Sequence, residues 1–435
     1  MKNTKTRKAY SSRPTTSNAI ITSARHTPHK NQHILFKAPV ISLQSKIQRN
    51  RSIANFSIFQ PSSLQHRLQL RAGPNSRLLK AFDIRNSFTT TDVDKHTDFL
   101  RLSFHTIKSA DGAVCRKVWR LANETIEKLV PQLRNSGRRE VRIERIARIL
   151  CLDAVLKLLF PKTRVRPFHI GHADKATKLV NVLWQDSKKS SSERGPVSRQ
   201  RSLESLQEAL RELVSVKQGD DEEEGEEDRE SKVLGLIMPA YETLWRVVML
   251  TYIHVAFRYI DTATRETVNK VVKSISQNSG AGARLDPTVV YFAREALRLY
   301  PPTKRIYRAS LSAEETADVE SMHHDERIWG PDAPEFRPNR FDKLTRDQEH
   351  AYMPFGVGKN ACPAENGFGR KRVSFLGVVL VTRLGTRASG AGVRLGDDNL
   401  DVYVPSPVAD WAKRCGEMGG ESWISGVKLI SYYIR

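Results

Sequence analysis

From Asp83 onward, apolar residues recur along the chain at helical spacing. Phe88–Ser109, Cys115–Leu133 and Arg139–Phe160 carry them at steps of three and four with charges between, the pattern of helices that bury one face. A longer helix is expected over Leu234–Arg258, with a stripe through Leu234, Ile237, Met238, Tyr241, Leu244, Trp245, Val248 and Tyr252. Pro239 lies inside it and cannot donate to the Gly235 carbonyl, so a kink is predicted there. Ala263–Ser276 and Asp286–Leu299 read as two more helices, the second closed by Pro301 and Pro302. Glycine and proline then punctuate the chain as far as Cys362, Val373–Leu384 reads as a last helix, and the final fifty residues read as short strands and loops. The expected fold is mainly α with small β-sheets, in the α+β class. No run approaches the ~20 apolar residues of a membrane-spanning helix, so no membrane anchor is expected.

Charge divides the 435-residue chain. The formal net charge is +23, yet residues 1–82 hold 15 Lys and Arg and no acidic residue. Such a segment offers little to bury against its chain entropy. It reads as disordered, as an Arg-rich and Ser-rich targeting segment, or as a divergent start, with the folded domain at 83–435. Between Gly219 and Glu230 nine of twelve residues are acidic, which reads as a solvated loop between helices. A charge of +23 raises the question of nucleic acid, but the chain has no helix-turn-helix signal, zinc-ligand spacing or aromatic–glycine RNA motif, so no nucleic-acid partner is expected. The four cysteines, Cys115, Cys151, Cys362 and Cys415, form no CxxC pair. That excludes a disulfide scaffold and fits a reducing compartment.

Three motifs carry chemistry. Glu295 and Arg298 lie three residues apart on the helix ending at Leu299, on one face where they can pair. Arg340, in Pro338-Asn339-Arg340-Phe341, offers a second guanidinium to the same carboxylate. Third comes Phe355-Gly356-Val357-Gly358-Lys359-Asn360-Ala361-Cys362-Pro363-Ala364, a cysteine in a glycine-bearing loop just ahead of a helix. Loop amides and the helix start favour a thiolate there, and glycines let backbone approach a flat ligand. A Walker loop is excluded by Met353 and Asn360. A cysteine nucleophile and a buried structural cysteine remain as other readings of Cys362 alone.

In this order and spacing the three motifs resemble the cytochrome P-450 family of haem-thiolate monooxygenases. The resemblance implies that family's fold in incomplete form, in a eukaryotic, fungal-like member with a divergent or truncated amino terminus. Its cofactor is haem b, with Cys362 as axial iron ligand and Phe355, Gly356 and Gly358 around it. Glu295, Arg298 and Arg340 would lock the core on the haem side. Arg308, after Tyr300-Pro301-Pro302, matches a haem-propionate position, as do His96 and Arg101 within Asn86–Arg101. Ala240-Tyr241-Glu242-Thr243 is similar to the family's acid–threonine pair, so Glu242 and Thr243 would relay protons beside bound dioxygen. The implied reaction inserts one oxygen atom from O2 into a lipophilic or secondary-metabolite substrate. Electrons come from NADPH through a separate reductase, with peripheral membrane association and an endoplasmic-reticulum, mitochondrial or cytosolic setting. A degenerate, non-catalytic member is the alternative. Certain positions depart from the family pattern: His96 is followed by Leu100 with Arg101 one place late, Asn360 stands where a basic residue is usual, Ala364 replaces a glycine, and the connection from Arg308 to His323 is short.

Overall fold

The computed structural model describes residues 42–109, 114–133, 140–160, 168–188, 196–214, 226–258, 260–277, 286–310, 313–358, 361–366, 368–389, 391–395 and 427–431. The chain runs through α1 (Leu43–Ala54), α2 (Leu64–Phe82), α3 (Val93–Ser109), α4 (Val114–Leu133), β1 (Glu140–Arg142), α5 (Ile143–Leu159), α6 (Ile170–Asp186) and α7 (Pro196–Leu213). Then follow α8 (Glu226–Tyr241), α9 (Leu244–Phe257), α10 (Thr262–Gln277), α11 (Pro287–Leu299), β2 (Arg305–Ala309), β3 (Glu314–Asp318), α12 (Val319–His323), α13 (Glu326–Trp329), α14 (Arg346–Ala351), α15 (Phe368–Leu384), β4 (Ala391–Leu395) and β5 (Val427–Ser431). The architecture is the expected helical one with two small antiparallel sheets. One is ordered β1-β5-β4; the other is the β2–β3 hairpin, in which Arg308 faces Glu315. The short connection after Arg308 is that hairpin, running directly into α12.

Helices α5, α9 and α15 form the centre. Each is apolar around much of its circumference, and such a helix is stable only when enclosed. Ile146, Leu150 and Leu156 of α5, Val248, Met249 and Tyr252 of α9, and Leu376, Val379 and Leu380 of α15 are all buried in one continuous core. The stretch Ser231–Phe257 is long and apolar enough to cross a membrane by composition, with mean hydropathy 1.4. Most of that stretch is buried, which is how the core helices of a water-soluble fold also score.

The helix expected over Leu234–Arg258 is two helices. The break falls at Glu242 and Thr243, beyond Pro239. The Gly235 carbonyl that Pro239 leaves without an amide accepts instead from Asn86 Nδ2 at 3.0 Å. The acidic run is not wholly a loop either: Glu226–Glu230 form the start of α8, while 219–225 lie outside the described residues.

A larger correction concerns residues 1–82. Residues 1–41 lie outside the described residues, but α1 and α2 are folded helices of the compact unit that begins at Ser42. Ser42 and Ser63 cap them, each accepting a backbone amide at 3.1 Å. Ile47, Ile53 and Ala54 of α1 enter a second core with Val319, Met322, Trp329, Phe341, Met353 and Val357. The basic side chains of α1 meet distant partners: Lys46 pairs with Asp325 at 2.9 Å, Arg49 with Glu315 at 2.5 Å, and Arg51 donates to the His350 carbonyl at 2.8 Å. An acid-free segment looked unfoldable by itself because its counter-charges lie more than 260 residues away.

Candidate haem-thiolate site

The Glu295 carboxylate is fully buried and fully used. Arg298 donates to both of its oxygens at 2.8 Å, and Arg340 Nε and the Arg337 amide reach Oε1 at 3.0 and 2.9 Å. Both guanidiniums also donate to carbonyls, and Arg340 lies 3.4 Å from Asp332 Oδ2. Arg298 donates to those of His323 and Ala333 at 2.7 and 2.8 Å, and Arg340 to those of Trp329 and Asp332 at 3.1 and 2.9 Å. Two cations around one carboxylate, with further donors bonded to carbonyls, is the arrangement in which buried charge is tolerated.

His323 connects this network to the cysteine loop, and sequence reasoning did not single it out. Its Nδ1 lies 3.2 Å from the Arg298 carbonyl and its Nε2 lies 3.1 Å from the Met353 amide. An amide can only donate, so Nε2 accepts and Nδ1 carries the proton. Burial, with the Arg298 charge adding to it, pushes the imidazole down to about 3, so it is neutral at physiological pH.

Two residues past Met353 the loop turns. Gly356 and Gly358 hold φ of +79° and +65°, a region that disfavours side chains, and the space where a Cβ of Gly358 would point is open. The Cys362 amide donates to the Phe355 carbonyl at 2.8 Å, closing the loop. The Phe355 ring lies so close to Gly369, in the first turn of α15, that a Cβ there would come within 3.0 Å of it. Cys362 is half-buried; burial pushes its thiol up, while the Ala364 amide, hydrogen-bonded to the sulfur, pulls it down. Lys359 and Asn360 lie outside the described residues.

Helix α3 packs against the turn Pro363–Asn366 that follows Cys362, and α2 packs along β2. These contacts gather His96, Arg71 and Arg308. His96 is buried, with Nδ1 2.9 Å from Ser87 Oγ and 3.2 Å from Arg71 Nη2. Arg308 is 8% exposed, and its guanidinium stacks on Phe56 at 4.1 Å and donates to the Tyr307 and Ala54 carbonyls. Arg101 is elsewhere, on the solvent face of α3, paired with Asp98 at 2.8 Å.

The acid–threonine pair is turned inward. Thr243 Oγ1 donates to the Pro239 carbonyl, in the last turn of α8, at 2.7 Å. Glu242 is buried, accepts from Trp245 Nε1 at 3.1 Å and pairs with Arg246.

Haem would need a ligand atom, a flat approach and cations for two carboxylates. The turn at Cys362 has the first two in its half-buried sulfur and open Gly358. Arg308 and Arg71 each bury an Nε with no hydrogen-bond partner, which suits the third. The residues fit the group.

Residues 287–366 match the family model described as cytochrome P450, written P-450 below. A cytochrome P-450 of Panax ginseng is 35% identical over 138 residues, 28% of this chain and 25% of that protein. The bifunctional cytochrome P-450/NADPH–P-450 reductase 2 of Bacillus subtilis is 34% identical over 99 residues, 20% of this chain and 9% of that protein. The chain thus matches a quarter or less of these relatives' length. Among solved structures, a cytochrome P-450SP alpha variant superposes with TM-score 0.52 over 87% of this chain and 88% of its own, at 13% identity. A P-450 of Thermus thermophilus gives 0.52 over 73% and 77%, at 15% identity. The fold is that of the cytochromes P-450, and residues 287–366 match that family, whose members bind haem through iron and a cysteine thiolate.

Proposed function

We propose that this protein is a haem-dependent monooxygenase, with Cys362 as the axial ligand. The observation that carries the reading is the Cys362 turn: a half-buried sulfur hydrogen-bonded by the Ala364 amide beside two positive-φ glycines, one open to space. Haem, once bound, supplies activation of O2, and a thiolate ligand favours O–O cleavage over reversible carriage. The chain's own residues do the rest. Phe355, Gly356 and Gly358 shape the face over the sulfur, and Arg308 and His96 receive the carboxylates. The Glu295–Arg298–Arg340 network, through His323 and Met353, fixes where the loop begins. The substrate is a lipophilic organic molecule, and electrons arrive from NADPH through a separate reductase. Glu242 and Thr243 move protons only after leaving the partners they hold in this conformation.

That inward pairing favours a second reading, a family member that binds haem without oxidising a substrate. Substrate-dependent NADPH consumption with a reductase separates the two, since the non-catalytic protein gives none. For the first requirement of both, the reduced protein under CO should absorb at ~450 nm as thiolate-ligated haem does, and Cys362→Ser should lose that band. A Cys362→Ser protein that keeps it overturns the assignment of the ligand.

A further inference from the structure

Arg71 has no counterpart among the motifs by which the chain resembles its family, and it stands in the segment that composition set aside. It lies on α2 and donates from Nη2 to Ser87 Oγ at 3.1 Å, with His96 Nδ1 at 3.2 Å, while its Nε has no partner. Arg308 is buried and, like half-buried Arg71, has an orphaned Nε, and the two guanidiniums repel each other. Burial alone lowers Arg71 to about 10; burial and Arg71 together lower Arg308 to about 9. Among the described residues no carboxylate pairs with either. His96 adds a third donor: with Nδ1 facing Arg71 and the Ser87 hydroxyl, its proton resides on Nε2, and burial and the charges of Arg71 and Arg67 keep the ring neutral.

Buried cations without an anion are costly unless something negative joins them. A planar guanidinium suits a carboxylate, to which it can present two parallel N–H groups. The cluster stands on the three elements, α2, β2 and α3, of which α3 packs on the Cys362 turn. We propose that Arg71, acting with Arg308 and His96, binds a haem propionate, and so takes the work that Leu100 and the outward Arg101 leave undone. The amino-terminal helix α2 is then part of the cofactor site. This rests on haem being the cofactor.

The test follows haem loss from the full-length, haem-loaded protein to an excess of a haem-scavenging protein. Arg71→Leu should lose haem about tenfold faster than the unsubstituted chain, and Arg71→Lys should recover part of the difference. Both should keep the far-ultraviolet circular dichroism of the parent. Loaded with the dimethyl ester of haem, which has no carboxylates, the parent and Arg71→Leu should lose it at the same rate. Equal loss of ordinary haem by parent and Arg71→Leu overturns the proposal. A difference that persists undiminished with the ester overturns it too, by showing a structural effect. If haem is held but the reduced protein under CO lacks the thiolate band, the function reading fails while a carboxylate-dependent Arg71 effect still stands. A parent chain that takes up no haem overturns both.

Discussion

The charges around Glu295 and those around Arg71 and Arg308 are built on opposite terms. Around Glu295, two arginines and a backbone amide converge on one carboxylate, and Arg298 and Arg340 donate further to backbone carbonyls, with Asp332 Oδ2 3.4 Å from Arg340. Around Arg71 and Arg308, two guanidiniums and an imidazole converge on no acid at all, each guanidinium with an unpartnered Nε. The first is complete as folded and serves to tie α11 to the segment His323–Phe341. The second is completed only by something from outside. The saturated network needs nothing further; the unsaturated one, with Arg308 buried and Arg71 half-buried, is the proposed binding site.

The strongest way to break this comparison is to remove one charge from each cluster and measure urea unfolding of the haem-free chain. Glu295→Gln leaves Arg298 and Arg340 buried without their counter-charge and should cost about 3–5 kcal/mol. Arg308→Met removes a buried charge that has no counter-charge and should be neutral or stabilising by about 1 kcal/mol. Equal destabilisation by both would mean that the second cluster is architecture as well.

How far the sequence revealed these clusters follows from how local each is. Glu295 and Arg298 were legible because a spacing of three on a helix dictates a shared face, and Arg340 because its guanidinium follows them in an order that resembles the family. Arg71 was not legible. Its meaning depends on α2 packing along β2, a contact between segments more than 200 residues apart, and the acid-free composition around it argued for no fold at all. The Lys46–Asp325 pair was hidden in the same way. Helices α6 and α7 went unread, whereas the periodicity of α4, α5, α10 and α11 was enough to place them. Pro239 correctly predicted a disrupted helix, but only the structure places the break at Glu242 and Thr243 and turns those side chains inward.

His323 sharpens the comparison, because it transmits the order of the complete cluster to the cysteine loop. Its proton-free Nε2 is the acceptor for the Met353 amide, so protonation must break that bond and place a cation beside Arg298. The folded value of about 3 lies below the ordinary 6.5, so the unfolded chain binds the extra proton first as pH falls. Stability from this residue is therefore full above pH 6.5 and lost progressively down to pH 3. Unfolding titrations should show a loss of roughly 3 kcal/mol between pH 6.5 and 4 that His323→Asn abolishes. An unchanged slope in the variant would assign the acid sensitivity elsewhere.

The smallest effect belongs to Arg101, which the family pattern nominates for the cofactor and the fold turns to solvent. Its side chain is 74% exposed and its partner Asp98 is 69% exposed. An ion pair so open to water contributes at most about 0.5 kcal/mol on a helix. Arg101→Ala should therefore leave the urea midpoint nearly unchanged and should not alter the rate of haem loss, in contrast to Arg71→Leu on the neighbouring helix. The contrast is informative because both residues are arginines on neighbouring helices, α3 and α2, that differ in how far the fold encloses them. A faster haem loss in Arg101→Ala than in Arg71→Leu would return the propionate to the position one place late in the motif, and would show that α3 rotates when the cofactor binds.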